Sequence, residues 1–124
     1  MEDIKKNLAE VERRIKKTES ECGKNDNEVL LVAVSKTRTA EEINIAIDAG
    51  VTDIGENKVQ EIMDKYDEVK PVRWHMIGHL QTNKVKYIID KVDLIHSVDS
   101  YKLAAEINKR AGAKGINMDI LLQV

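Results

Sequence analysis

A lysine at the carboxyl end of a buried strand is a candidate for carbonyl chemistry, and Lys36 has that setting. It follows the most apolar run in the chain, Val29-Leu-Leu-Val-Ala-Val34, through Ser35. A short run rich in β-branched residues and bounded by polar segments reads as a strand over Val29–Ser35, buried on both faces. Partial desolvation at such a strand end lowers an ammonium's pKa, and the neutral amine is the form that condenses with an aldehyde. Arg38, two positions on, would act in the same direction by like-charge repulsion. The plainer alternative is a solvated lysine that ends a strand at the water boundary.

Other polar groups recur at corresponding places. Glu56-Asn57 follows a second apolar segment, and Gly78-His79-Leu-Gln81-Thr-Asn83-Lys84 follows a third. His96-Ser97 with Asp99 ends a fourth. If the strands are parallel, these residues share one rim, where α/β folds place ligands. Each also has a structural reading. Asn57 can cap a helix, and Glu56 can cap one or pair with a cationic helix residue. Gly55 and Gly78 suit tight strand-to-helix turns or a close ligand approach. His75 reads as a hydrogen-bonded core residue, and His79 as the better rim contact. The three histidines lack metal-site spacing, and neither a nucleophile elbow nor a Ser-His-Asp order is present.

The elements that must position these groups alternate. Ile4, Leu8, Val11 and Ile15 make residues 2–22 an amphipathic helix, closed by the turn chemistry of Gly23-Lys-Asn-Asp-Asn27. Strands are then expected at Val29–Ser35, Val51–Gly55, Arg73–Ile77, Leu94–Val98 and Met118–Val124. The first is followed by a helix opened by the capping-box spacing Thr39-Ala-Glu-Glu42, with Gly50 at its end. The later helices carry Val59, Ile62, Met63 and Tyr66, stopped by Lys70-Pro71; then Val85, Ile88, Ile89 and Val92; then Leu103, Ala104 and Ile107. Strand starts recur roughly every 21 to 24 residues, which is the signature of βα units and a parallel sheet. A closed barrel of eight units takes about 250 residues. The 124 residues here fit one domain, 1–124, forming about five strands of an incomplete TIM-type α/β barrel.

Bulk composition excludes several classes. A formal charge of −2 with mixed signs gives no basic face for nucleic acid. No apolar stretch reaches membrane-span length, and no signal-peptide core opens the chain, so a cytoplasmic location is expected. The single cysteine, Cys22, excludes an internal disulfide framework. Phe is absent, so the core must be aliphatic. No Gly-x-Gly-x-x-Gly follows a strand, and no Walker loop is present.

Taken together, Leu31-Val-Ala-Val-Ser-Lys-Thr37, Asp53-Ile-Gly-Glu-Asn57 with Val59-Gln60-Glu61, and Trp74-His-Met-Ile-Gly-His-Leu-Gln81 with Asn83-Lys84 form an ordered set. His96-Ser-Val-Asp-Ser100 and Leu121-Leu-Gln-Val124 continue it. The set resembles the pyridoxal-phosphate homeostasis protein family, also called YggS or PROSC-like. That resemblance implies the fold of the alanine racemase amino-terminal domain, a TIM-type barrel with an additional amino-terminal helix. It implies that Lys36 is the Schiff-base lysine holding pyridoxal 5′-phosphate as an internal aldimine, with Asn57, His79 and the Gly78–Asn83 loop around it. It implies a carrier or regulator of free pyridoxal phosphate in vitamin B6 and amino-acid balance, rather than an established enzyme. Family members are about twice this length, and their phosphate-binding elements come late, so weak cofactor binding is expected. Open strand edges make self-association a further expectation. A racemase-like enzyme and a ligand-free half-barrel are the rival readings.

Overall fold

The computed structural model describes residues 2–24 and 29–124. The expected turn at Asn25–Asn27 lies outside the described residues. Helix α1 spans Glu2–Glu21. Five strands follow: β1 Ala33–Val34, β2 Asp53–Glu56, β3 Arg73–Met76, β4 Leu94–Val98 and β5 Asp119–Leu122. Between them lie α2 Ala40–Asp48, α3 Val59–Lys65, a 3₁₀ turn at Thr82–Lys84 running into α4 Val85–Ile88, and α5 Tyr101–Lys114. All strands are parallel, and their spatial order is their chain order, β1 to β5. Sequential order is what successive βα units produce when each is laid beside the last, and it is the arrangement of a barrel segment.

Helix ends follow local chemistry. The Thr39 side chain accepts from the Glu42 amide while Glu42 reaches back to the Thr39 N–H, which completes the expected capping box of α2. Ser100 caps α5 by accepting from Leu103 N–H at 3.1 Å. Gly115, at φ 68°, ends that helix in the left-handed conformation that glycine adopts without penalty. Helix α3 stops at Lys65, before Lys70-Pro71; a turn follows, with Val69 N–H donating to Lys65 O at 3.1 Å.

One face of the sheet is closed by α3, α4 and α5. Ile54, Met76 and Ile95 from the strands meet Ile62, Val85, Ile88 and Ile89 from this layer, all 0 or 1% exposed. The core is aliphatic, as the absence of Phe requires, except where Trp74 meets Tyr66 at a ring-centroid distance of 5.4 Å. Each fully buried Ile contributes about 1.5–3 kcal/mol.

The first strand departs from expectation. Only Ala33–Val34 is ladder-paired, and Val29, Leu30 and Val34 are 46, 54 and 53% exposed. The physical reason is position: β1 is an edge, bonded to β2 alone among the described residues. An apolar run is buried on both faces only when neighbours cover it. The last strand behaves likewise, with Leu122 76% exposed.

Candidate functional site

Just past the carboxyl end of β1, Ser35 N–H donates to Gly55 O at 3.0 Å. The chain then turns at Lys36-Thr37, and Arg38 N–H closes the turn on Ser35 O at 3.1 Å. Thr37 has φ 62°, a conformation unfavourable for a β-branched residue and held by its surroundings. Lys36 is exposed, whereas Ser35 is buried.

The residues flanking Lys36 are tied to the next unit. The Ser35 hydroxyl donates to the Glu56 carboxylate. The Lys65 ammonium on α3 donates to Ser35 O at 3.0 Å, to Glu56 Oε2 at 3.1 Å and to Glu61 Oε2 at 2.8 Å. Glu61 in turn accepts from Thr37 N–H at 3.0 Å. Burial pushes the Glu56 carboxyl up, and Glu61 adds to this against the opposing Ser35 and Lys65 bonds. Glu61 is held down at about 2, chiefly by Lys65 and the Thr37 amide. Glu56 is thus the partner of a cationic helix residue, one of the two structural roles its position allowed.

Asn57 and His79 come together. The backbones of their two loops touch: a Cβ on Gly78 would lie 2.4 Å from Asn57 O and 2.7 Å from Asn57 Cα. Gly78 therefore serves loop-to-loop contact, while Gly55 lies inside β2 rather than in a turn. A Cβ at Gly55 would meet Ile77 Cδ1 at 2.9 Å and Val32 Cγ1 at 3.2 Å. Asn57 does not cap α3; Lys58 occupies that position without a side-chain bond. The Asn57 amide makes no hydrogen bond among the described residues and lines an open depression of about 530 Å³ with His79, Gln60, Gln81, Lys84 and Tyr87. The Lys84 and Lys86 ammonium groups lie 5.7 and 5.2 Å from the Tyr87 ring centroid. His79 also borders a second depression of about 500 Å³, with Asp99, Ser100 and Lys102. Lys36 lines neither; it stands at the neighbouring strand end.

His96 and Ser97 lie within β4 rather than on the rim. His75 is a hydrogen-bonded buried residue. Its Nε2 is 2.7 Å from Asp53 Oδ2, and its Nδ1 is 2.8 Å from His96 Nε2. Arg73 forks onto Asp53 at 2.8 and 3.0 Å, and Thr52 Oγ1 donates at 2.6 Å. Burial pushes the Asp53 carboxyl up, but the bonds from Arg73, Thr52 and His75 outweigh it and hold it at about 2. The ionised carboxylate accepts, so His75 Nε2 carries a proton, and one proton lies between the two facing ring nitrogens. Burial, then the neighbouring His75, pushes His96 down. Among the described residues no His/Cys/Asp/Glu group is arranged to hold a metal. No described helix is long and apolar enough to cross a membrane.

Sequence reasoning missed Asp53, Arg73, Glu61 and Lys65 as members of these networks. The i,i+4 spacing of Glu61 and Lys65 was the available signal. Asp53 with Arg73 had none, because the pair exists only through strand register.

No family model matches the chain. The pyridoxal phosphate homeostasis protein of Aquifex aeolicus is 44% identical over 119 residues, covering 94% of this chain and 52% of that protein. Its counterpart in Escherichia coli strain K12 is 39% identical over 129 aligned residues, covering 100% and 55%. Among solved structures, PipY of Synechococcus elongatus with PLP bound superposes with a TM-score of 0.80 at 36% identity, over 98% of this chain and 54% of that one. An unknown protein from Bifidobacterium adolescentis gives a TM-score of 0.88 at 36% identity, over 97% of this chain and 54% of that one. The chain spans about half the length of the curated relatives it matches.

Proposed function

From a chain that matches the YggS/PROSC-like pyridoxal phosphate homeostasis family in sequence and structure, we propose a pyridoxal 5′-phosphate-binding role in vitamin B6 and amino-acid homeostasis. Lys36 is the covalent anchor for the cofactor aldehyde, and Asn57 and His79 line the adjacent space. The observation that carries this reading is an exposed lysine at a strand end whose two flanking residues are both fastened to the neighbouring unit.

The residues fit the aldehyde-bearing part of the group. Its chemistry is that of an electrophilic aldehyde able to take up an amine with loss of water. Lys36 offers an amine in contact with solvent, so exchange with free cofactor needs no opening of the fold. Asn57 offers both an amide donor and an acceptor not used internally, able to orient a polar ring substituent. His79, in the wall of both rim depressions, offers a further hydrogen-bonding ring. By resemblance, the family's phosphate-binding elements come late in its longer chains.

The test is a visible absorbance titration with pyridoxal phosphate, then borohydride reduction and peptide mapping, with Lys36→Ala beside the parent. A yellow species whose reduced adduct maps to Lys36 supports the carrier reading. Adducts scattered over surface lysines, or none, overturn it and leave a half-barrel without ligand. Cofactor-dependent turnover of an amino acid, lost in Lys36→Ala, would instead favour a racemase-like enzyme.

The open edges support self-association as part of the same proposal. The ladder of β5 is bonded only to β4 among the described residues, and Leu121 and Leu122 are 48 and 76% exposed. Unpaired edges with apolar side chains invite another strand. Light scattering over a concentration series is expected to show a species heavier than the monomer; a monodisperse monomer at high concentration overturns this part.

A further inference from the structure

We propose that Glu61, with Lys65 and Glu56, is a positioning residue for Lys36: Glu61 and Lys65 tether the peptide groups on the two sides of the lysine, Glu56 holds the Ser35 hydroxyl, and together they keep its amine at the rim in one direction. The inference rests on the reading of Lys36 as the aldehyde anchor. It deepens that reading by adding residues that never touch the ligand.

Lys36 itself contributes nothing to its own placement. It is exposed and sits in a two-residue turn. Beside the turn's own Arg38 N–H bond to Ser35 O, the side-chain tethers come from outside the turn. On the amino side, the Ser35 hydroxyl is held by the Glu56 carboxylate and its carbonyl by the Lys65 ammonium at 3.0 Å, in addition to its backbone bonds to Gly55 and Arg38. On the carboxyl side, the Thr37 amide is held by Glu61 Oε2 at 3.0 Å. Lys65 closes the circuit. Its three N–H bonds are all used, on Ser35 O, Glu56 and Glu61, and an ammonium has no more to give. With its side chain only 13% exposed, Lys65 joins the ends of β1 and β2 to α3 as a fixed node.

The cost of this arrangement indicates what it serves. Thr37 is the one non-glycine residue with positive φ among the described residues. Its β-branched side chain disfavours that state, and the bond to Glu61 is what holds its amide there. Glu56 keeps Oε1 buried without a hydrogen-bond partner among the described residues. A fold that only needed to fasten β1 to α3 could do so through apolar contact. A strained turn fastened by charged groups on either side of one exposed amine instead restricts the directions that amine samples. Removing one tether frees the backbone of a residue beside the nucleophile and dilutes the reactive orientation by about tenfold.

The experiment compares the parent with Glu61→Ala and Glu61→Gln, using pyridoxal phosphate and borohydride trapping as the probe. Glu61→Ala leaves Lys65 paired with Glu56 and Ser35 O, so the fold is retained, which circular dichroism checks. Two quantities are read: hydrogen exchange of the Thr37 amide, and the initial trapping rate at Lys36 relative to that at Lys84 and Lys102. Glu61→Ala is expected to unprotect the Thr37 amide and lower the relative Lys36 rate about tenfold. Glu61→Gln, which still accepts from Thr37, is expected to restore at least half of the parent value. An unchanged relative rate at Lys36 with the Thr37 amide unprotected overturns the positioning role and leaves the anchor reading standing. No preference for Lys36 in the parent overturns the anchor reading, and this inference with it.

Discussion

Asp53→Asn tests the inner network most sharply. Asp53 is 1% exposed and accepts from Arg73, Thr52 and His75 at 2.6 to 3.0 Å. Asparagine has nearly the same shape, yet it accepts through one oxygen and presents an NH₂ to a former donor. A carboxyl at about 2 when folded and near the ordinary Asp value when unfolded adds on the order of 2 kcal/mol at neutral pH. The Arg73 side chain is 60% exposed, so solvent screens part of that pairing, and about 1 to 2 kcal/mol is the net expectation. The sign follows from a depressed folded pKa. The stabilisation is fully present above the unfolded value and is lost as pH falls through about 2. Urea unfolding of parent and variant at pH 7, 4, 3 and 2.5 measures it. The difference between them should be about 1 to 2 kcal/mol at pH 7 and shrink steadily below pH 4. A difference that stays constant to pH 2.5 would refute the assignment of that stability to the Asp53 charge.

Three further outcomes are expected. Gly78→Ala places a methyl 2.4 Å from Asn57 O; a backbone shift of both loops should cost about 1–3 kcal/mol and move the amide resonances of Asn57 and His79. Thr39→Ala removes the α2 capping box and should lower stability by about 1 kcal/mol in urea melts, with the strands unaffected. Lys65→Met leaves the Glu56 carboxylate buried without its ammonium, costing about 3 kcal/mol at pH 8. Glu56 is pushed up by burial, so protonation favours the folded form, and that cost should diminish as pH falls. A pH-independent loss in Lys65→Met would count against a charged Glu56 as its origin.

Local pattern made the alternation legible. Leu94–Val98 is the observed β4, and the Thr39–Glu42 spacing is a working capping box. Lys36 could be placed at a strand end because one apolar run precedes one polar turn. The residue type of Asn57 allows a helix cap as well as a rim contact; the helix starts two residues later, which leaves the amide to the rim depression. His96 was counted with the rim because strand ends are uncertain from sequence; pairing carries β4 on to Val98 and puts His96 mid-strand.

What the sequence determined by itself was the order and type of the elements, the aliphatic core and the lysine that ends the first strand. These depend on residues a few positions apart, and helical and strand periodicity records them directly. What only tertiary structure decided was which distant groups meet. Asp53, His75 and His96 form a line because β2, β3 and β4 are parallel in one register, and a slip of one residue would turn those side chains to the other face. Lys65 reaches Ser35 across thirty positions because α3 folds back over the end of β1. Burial is decided in the same way. The run from Val29 to Val34 is the most apolar in the chain and still largely open, because hydrophobicity belongs to a residue and burial belongs to its neighbours.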